Sequence, residues 1–102
     1  MPLLFSYGTL QHDDVQRKVF GRKVDARRDA VIGFVRESVA IEGATEANVR
    51  FSGGSSRVDG VVLDITDAEL AHADDYELPY GYKRIATTLA SGTTAWVYVY
   101  RP

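Results

Sequence analysis

Gly60-Val61-Val62-Leu63-Asp64-Ile65-Thr66-Asp67-Ala68-Glu69 joins two kinds of local order end to end. In its first half, Val61, Leu63 and Ile65 alternate onto one side of an extended chain while Asp64 falls on the other, the pattern of a half-buried strand. Thr66 then opens the run Thr66-Asp67-Ala68-Glu69, a capping box. The threonine oxygen can accept from the glutamate amide, and the glutamate side chain can reach back to the threonine amide. A helix therefore follows the strand directly. It must end before Pro79, because a proline disfavours helical backbone in the residue ahead of it.

Working outward, Leu3, Leu4 and Phe5 form a short apolar run that stops at Tyr7-Gly8, as a buried strand followed by a turn would. Asp13 or Asp14 is placed to cap a short helix through Phe20, ended by Gly21. Val31, Ile32, Phe34 and Val35 predict a strand in which Gly33 marks a bulge or a close backbone approach. Val39 to Ile41 and Val49 to Phe51 are further strand candidates, and the small polar residues from Ser52 to Ser56 read as a loop. Lys83 to Leu89 and Thr94 to Tyr100 predict a hairpin turning at Ser91-Gly92-Thr93. Ala95, Val97 and Val99 share one face of its second strand, and Trp96, Tyr98 and Tyr100 the other, so both faces are expected to be covered. Strands outnumber helices and most connections are short. The expected fold is α+β, a small mixed but mostly antiparallel, barrel-like sheet with a few short flanking helices, forming a single domain over residues 1–102.

Hydrophobic residues at 45% and charged residues at 25% suit a packed core and are unlike a disordered chain. With no cysteine there is no disulfide, no thiolate nucleophile and no cysteine-bound zinc, and two histidines are few for a metal site, so neither metal nor cofactor is expected. A net charge of −2 argues against a nucleic-acid partner. The basic stretch Arg17, Lys18, Arg22, Lys23, Arg27 and Arg28 is interleaved with Asp25 and Asp29 and reads as a solvated face. The start MPLLFSYGTL lacks a basic n-region and a long apolar h-region, and no stretch approaches the roughly 20 apolar residues that a bilayer requires. The expectation is a cytoplasmic protein with no membrane partner.

Two segments carry the chemistry. At about 100° per residue, a helix reaching Glu77 places it on the face of Leu70 and Ala73, which is inward. A carboxylate at that end also meets the negative end of the helix dipole, so helix stability explains it poorly. Burial and like charge from Asp74 and Asp75 would both raise its pKa, as suits a base working near neutral pH. The alternative is a surface carboxylate at a frayed helix end, paired with Lys83 or Arg84. In Ser6-Tyr7-Gly8-Thr9-Leu10, Gly8 is free to take positive φ, and successive amides of such a turn form an anion-binding nest. An ordinary strand-end turn is the other account of it. Ser6 has no nucleophile elbow around it, His12 has no evident Ser or Asp partner, and His72 falls on the outer face of the helix.

Together these segments resemble a family. Tyr7-Gly8-Thr9-Leu10 resembles the Tyr-Gly-x-Leu loop of γ-glutamylcyclotransferase-like proteins, also called avirulence-induced-gene-like proteins. Asp74-Asp75-Tyr76-Glu77, followed by Tyr82-Lys83-Arg84, resembles their Asp-x-aromatic-Glu and Tyr-x-Arg segments, and Val58 to Ile65 resembles the strand leading into their catalytic helix. Ala73, where relatives often have Leu, and Leu78-Pro79-Tyr80-Gly81 depart from the common pattern and should alter pocket shape more than chemistry. The resemblance implies a cofactor-free cyclisation. The free α-amine of a γ-glutamyl group attacks its own γ-carbonyl, leaving 5-oxoproline and releasing an amine or amino acid. It implies Glu77 as general acid/base, the backbone of Gly8, Thr9 and Leu10 as the substrate cradle, and Tyr7 and Tyr82 as pocket walls. The partner is then a small γ-glutamyl substrate, while the sequence leaves the oligomeric state open between a monomer and a weak dimer. Rival readings are a non-catalytic module binding a small ligand on the same fold, and an interaction domain using the Tyr98 and Tyr100 strand.

Overall fold

A computed structural model describes residues 2–102. Its elements follow one another as β1 (Leu3–Ser6), α1 (Asp13–Phe20), β2 (Ala26–Ile32), β3 (Phe34–Ile41), β4 (Ala44–Phe51), β5 (Arg57–Asp64), α2 (Asp67–Glu77), β6 (Tyr82–Thr88) and β7 (Thr94–Tyr100). Single 3-10 turns at Thr9–Gln11 and Leu78–Tyr80 precede α1 and β6. Five strands form one sheet in the order β2-β5-β1-β7-β6, and β3 and β4 form a separate hairpin. Only β1 and β7 run parallel within the larger sheet. Its two edges also meet, because Val31 bridges Leu89 and the Ala90 amide donates to the Ala30 carbonyl at 2.8 Å. The sheet is thus mixed, mostly antiparallel and barrel-like.

Closure explains one departure from the expected pattern. Val62 is as buried as Leu63 and Ile65, so β5 is covered on both faces rather than half-buried. Leu4, Leu63 and Ile65 pack under the helices with Phe20, Leu70 and Ala73. Phe5, Val62 and Val97 point the other way and pack with Val31, Phe34 and Val49. Burying a side chain of this size stabilises by roughly 1.5–3 kcal/mol relative to exposing it.

Both helices start and stop where local physics directs. Thr66 and Glu69 make the reciprocal capping box, and Glu69 also takes two hydrogen bonds from Arg22, at 2.7 and 2.9 Å, tying the end of α1 to the start of α2. Those bonds hold the Glu69 carboxyl down at about 2. Gly21 ends α1 in the left-handed region, at φ 77°. The cap position of α1 is His12, with no side-chain cap bond. Asp13 and Asp14 lie in the first turn, where they complement the helix dipole rather than cap it.

The long β3–β4 hairpin extends the short candidates at Val39 and Val49. It turns at Glu42 and Gly43, both at positive φ, as a two-residue hairpin loop with matching twist requires. Gly33 divides β2 from β3 instead of bulging within one strand. At φ 85° its carbonyl accepts from the amides of Ser52 and Gly53, pinning the open end of the hairpin. No helix among the described residues is long and apolar enough to cross a membrane.

Candidate active site

A cleft of about 340 Å³ lies between the Tyr7–Leu10 loop, the end of α2 and the β3–β4 hairpin. Glu77, Tyr7, Gly8, Thr9, Leu10 and Tyr82 all line it. The structure therefore brings every sequence-predicted site residue to one place. It adds Arg36 and Glu46 from the hairpin and Tyr76, Tyr80 and Tyr98 around the walls.

The loop is held by side chains more than by its own turn. Tyr7 is buried, and its hydroxyl donates to the Tyr98 carbonyl at 2.7 Å, fastening the loop to β7. Buried Gln16 donates to the Leu10 carbonyl and accepts from the Val24 amide, both at 2.9 Å, knotting the loop to both ends of α1. The amides of Gln11 and His12 close the 3-10 turn onto Gly8 and Thr9, which leaves the amides at its start without a partner inside the turn. Gly8 itself has φ −122°, not the positive φ expected for it. Its glycine is instead compatible with open space, since a Cβ there would meet nothing within 4 Å. Close approach of a ligand, not backbone strain, is the property it offers.

The hairpin is pinned over the cleft by three bonds. Arg36 donates to the Tyr7 carbonyl at 2.8 Å, the Tyr82 hydroxyl donates to the Ala47 carbonyl at 2.6 Å, and the Tyr100 amide donates to Asn48 at 2.8 Å. Arg36 thereby stands beside the loop as a cation, and Glu46 enters the lining as a second carboxylate.

Glu77 is half-buried, and burial first, then the charge of Glu46, pushes its carboxyl from 4.5 up to about 7. The like charge expected from Asp74 and Asp75 is not the cause. Asp74 is bonded by Arg84 through both carboxylate oxygens, at 2.8 and 2.9 Å, and by the Tyr98 hydroxyl at 2.7 Å, while Asp75 is exposed. Arg84 is thus committed to Asp74 and not to Glu77. Burial, followed by the charges of Glu77 and Glu46, raises the Tyr82 phenol to about 12. Burial likewise pushes Tyr7 well above its usual range. Both phenols stay protonated at neutral pH and act as donors, whereas the half-buried Glu77 carboxyl is pushed up to about 7. Among the described residues no three His, Asp or Glu side chains are grouped as a metal site would need.

A family model described as gamma-glutamyl cyclotransferase, AIG2-like, matches residues 4–102. The chain belongs to that family. No curated protein matches it by sequence. Solved structures of the same fold include a solution structure from Arabidopsis thaliana, 23% identical, with a TM-score of 0.82 and covering 97% of this chain but 61% of its own. Another, named gamma-glutamyl cyclotransferase, is 18% identical with a TM-score of 0.79, over 95% of this chain and 64% of its own. An uncharacterized protein from Homo sapiens is 20% identical with a TM-score of 0.78, over 98% and 66%. The chain therefore spans about two thirds of the length of these neighbours, whose mutual likeness to it at such identity is a likeness of fold.

Of the remaining candidates, His12 is exposed at the cleft and His72 is exposed on the outer face of α2. The Tyr98 and Tyr100 strand is not a free surface. Tyr98 is buried, its hydroxyl spent on Asp74, and Tyr100 stacks edge-on against Tyr82 at 5.5 Å. Arg36, Glu46 and Gln16 escaped the sequence reading, and only strand pairing brings the first two to the cleft.

Proposed function

We propose that the chain is a γ-glutamyl cyclotransferase with Glu77 as its general acid/base. The observation that carries the reading is a half-buried carboxyl lining one cleft with the Tyr7–Leu10 loop, whose first amides have no partner inside its turn; burial and the charge of Glu46 push that carboxyl up toward neutrality. The substrate's γ-glutamyl group is taken to fold so that its α-nitrogen lies against its γ-carbonyl. The α-nitrogen bonds to the γ-carbon, the bond from that carbon to the leaving nitrogen breaks, and no water is consumed. Glu77 removes the proton from the attacking nitrogen and returns it to the leaving one, so it ends as it began. Holding such a conformer substitutes for effective concentrations of roughly 10⁵–10⁸ M, and a positioned base adds about 10²–10⁴-fold. The Gly8–Leu10 amides and Arg36 suit the substrate carboxylate or the developing oxyanion, while Tyr7 and Tyr82 fix the loop and hairpin that present them.

Incubation with γ-glutamyl amines and γ-glutamyl dipeptides tests the reading. The expected products are 5-oxoproline and the free amine in equal amounts, and acetylation of the substrate α-nitrogen should make it inert. Release of glutamate carrying oxygen from labelled water would show a hydrolase, and saturable binding without turnover would show a binding module.

A further inference from the structure

Asp74 lies one helical turn before Glu77 on the same side of α2. Its two oxygens receive Arg84 from β6 in a bidentate pair, and the oxygen that accepts Arg84 Nε also accepts the Tyr98 hydroxyl from β7. Arg84 is stacked on Trp96, 4.4 Å from the ring centre, which fixes the guanidinium plane. Tyr98 continues the connection, because its backbone carbonyl accepts the hydroxyl of Tyr7 at 2.7 Å. One continuous set of bonds thus joins the end of α2 to the loop across the cleft.

The end of α2 needs such an anchor. It has no basic residue in its last turn, and it passes through Leu78 in helical conformation straight into the 3-10 turn, without a left-handed glycine of its own to stop it. Side chains of Arg84 and Asp74 are 28% and 24% exposed, a half-buried pair of the kind that adds little stability over well-packed apolar residues. Burial pushes the Asp74 carboxyl up, yet the bonds from Arg84 and Tyr98 hold it below its ordinary range, so the pair stays ionised wherever Glu77 works.

We propose that Asp74, acting through Arg84 and Tyr98, is a positioning residue that holds the last turn of α2, and with it Glu77, in register with the Tyr7–Leu10 loop. This rests on the reading of Glu77 as the base. The charged and titratable groups facing this end of α2 are Arg84 and Tyr82 from β6, Tyr98 from β7, Tyr7 from the loop after β1, Glu46 from β4, and Lys18 of α1 over the Tyr76 ring. Loss of the anchor lets the last turn move toward water and relieves the burial on Glu77.

The test titrates the Glu77 carboxyl carbon by NMR in ligand-free protein, alongside kinetics. Asp74→Asn/Arg84→Gln removes the pair without changing net charge, and since burial and Glu46, not Asp74 or Arg84, set the Glu77 shift, a fall in its midpoint reports position. The Glu77 midpoint should fall by about one pH unit from about 7. Displacement of a catalytic group should lower kcat by about 10-fold with KM within about twofold. Tyr98→Phe, which deletes one hydroxyl, should shift both in the same sense, with kcat down about threefold. A folded double variant that kept the parent midpoint and kcat would overturn the proposal. Should that variant fail to fold, unchanged values in Tyr98→Phe and Arg84→Lys would overturn it equally. If the parent releases no 5-oxoproline while the midpoint still moves, the cyclotransferase reading fails and the positioning role stands.

Discussion

Replacing Glu77 with Gln should make the protein more stable above neutral pH, independently of what the cleft does. In the unfolded chain this carboxyl ionises near 4.5, and in the folded protein near 7. Between those values the folded state holds a proton that the unfolded state has released. The stability due to Glu77 is therefore fully present below about pH 4.5, declines as pH rises, and is gone above about pH 7. At about 1.4 kcal/mol for each pH unit, the span from 4.5 to about 7 is worth about 3 kcal/mol, and about 2 kcal/mol once the water reaching this half-buried side chain is allowed for. Glutamine has nearly the same shape and does not titrate. Urea unfolding of parent and Glu77→Gln at pH 4.5, 6 and 8 isolates the effect, because every other titrating group is common to both. The variant should gain about 2 kcal/mol on the parent between the first and last pH, moving the relative midpoint by about 1 M at an m-value typical of small domains. A stability difference that did not vary with pH would mean that Glu77 ionises as it does in water, and the case for a neutral-pH base would go with it.

Other changes address catalysis. Glu77→Gln should lower turnover by about 100-fold or more while the fold survives, as an assay for 5-oxoproline on the purified variant would show. Glu46→Gln removes the like charge beside Glu77, so the acid limb of the kcat/KM profile should move to lower pH, and an unmoved limb would dismiss Glu46 from the electrostatics of the site. Gly8→Val should weaken ligand binding by filling the loop side of the cleft, where a Cβ meets nothing within 4 Å of the rest of the protein, in a variant shown to be folded by circular dichroism. Calorimetry showing unchanged affinity would remove the loop backbone from the binding account.

The legible parts of this fold are those governed by neighbours in sequence. The capping box at Thr66 and Glu69, the stop at Gly21 and the face shared by Leu70 and Glu77 all follow from spacing over one or two helical turns. The second buried face of β5 is not legible in its alternation, because closure of the sheet at Val31 and Leu89 covers a side that an open sheet would leave wet. The β3–β4 hairpin is legible only at Val39 to Ile41 and Val49 to Phe51. Arg36, Glu37, Glu46 and Asn48 break up the apolar positions of its strands, and its turn, Glu42-Gly43, is not among the usual turn pairs.

That hairpin is also where the site escaped. Glu77 sits on a helix whose face can be counted from its own cap, whereas Arg36 and Glu46 reach the cleft only through pairings that span the chain: Arg36 to the Tyr7 carbonyl, Tyr82 to Ala47, Tyr100 to Asn48. The like charge on Glu77 accordingly comes from Glu46 and not from its sequence neighbours Asp74 and Asp75, of which one is neutralised by Arg84 and the other faces water. The division has a chemical consequence. On the proposed reading, reaction type would rest on Glu77 and the loop, which are local, and selection among γ-glutamyl compounds on the hairpin, which is not. Substitutions along β3 and β4 at the cleft should therefore change which leaving amine is accepted before they change the chemistry performed on it.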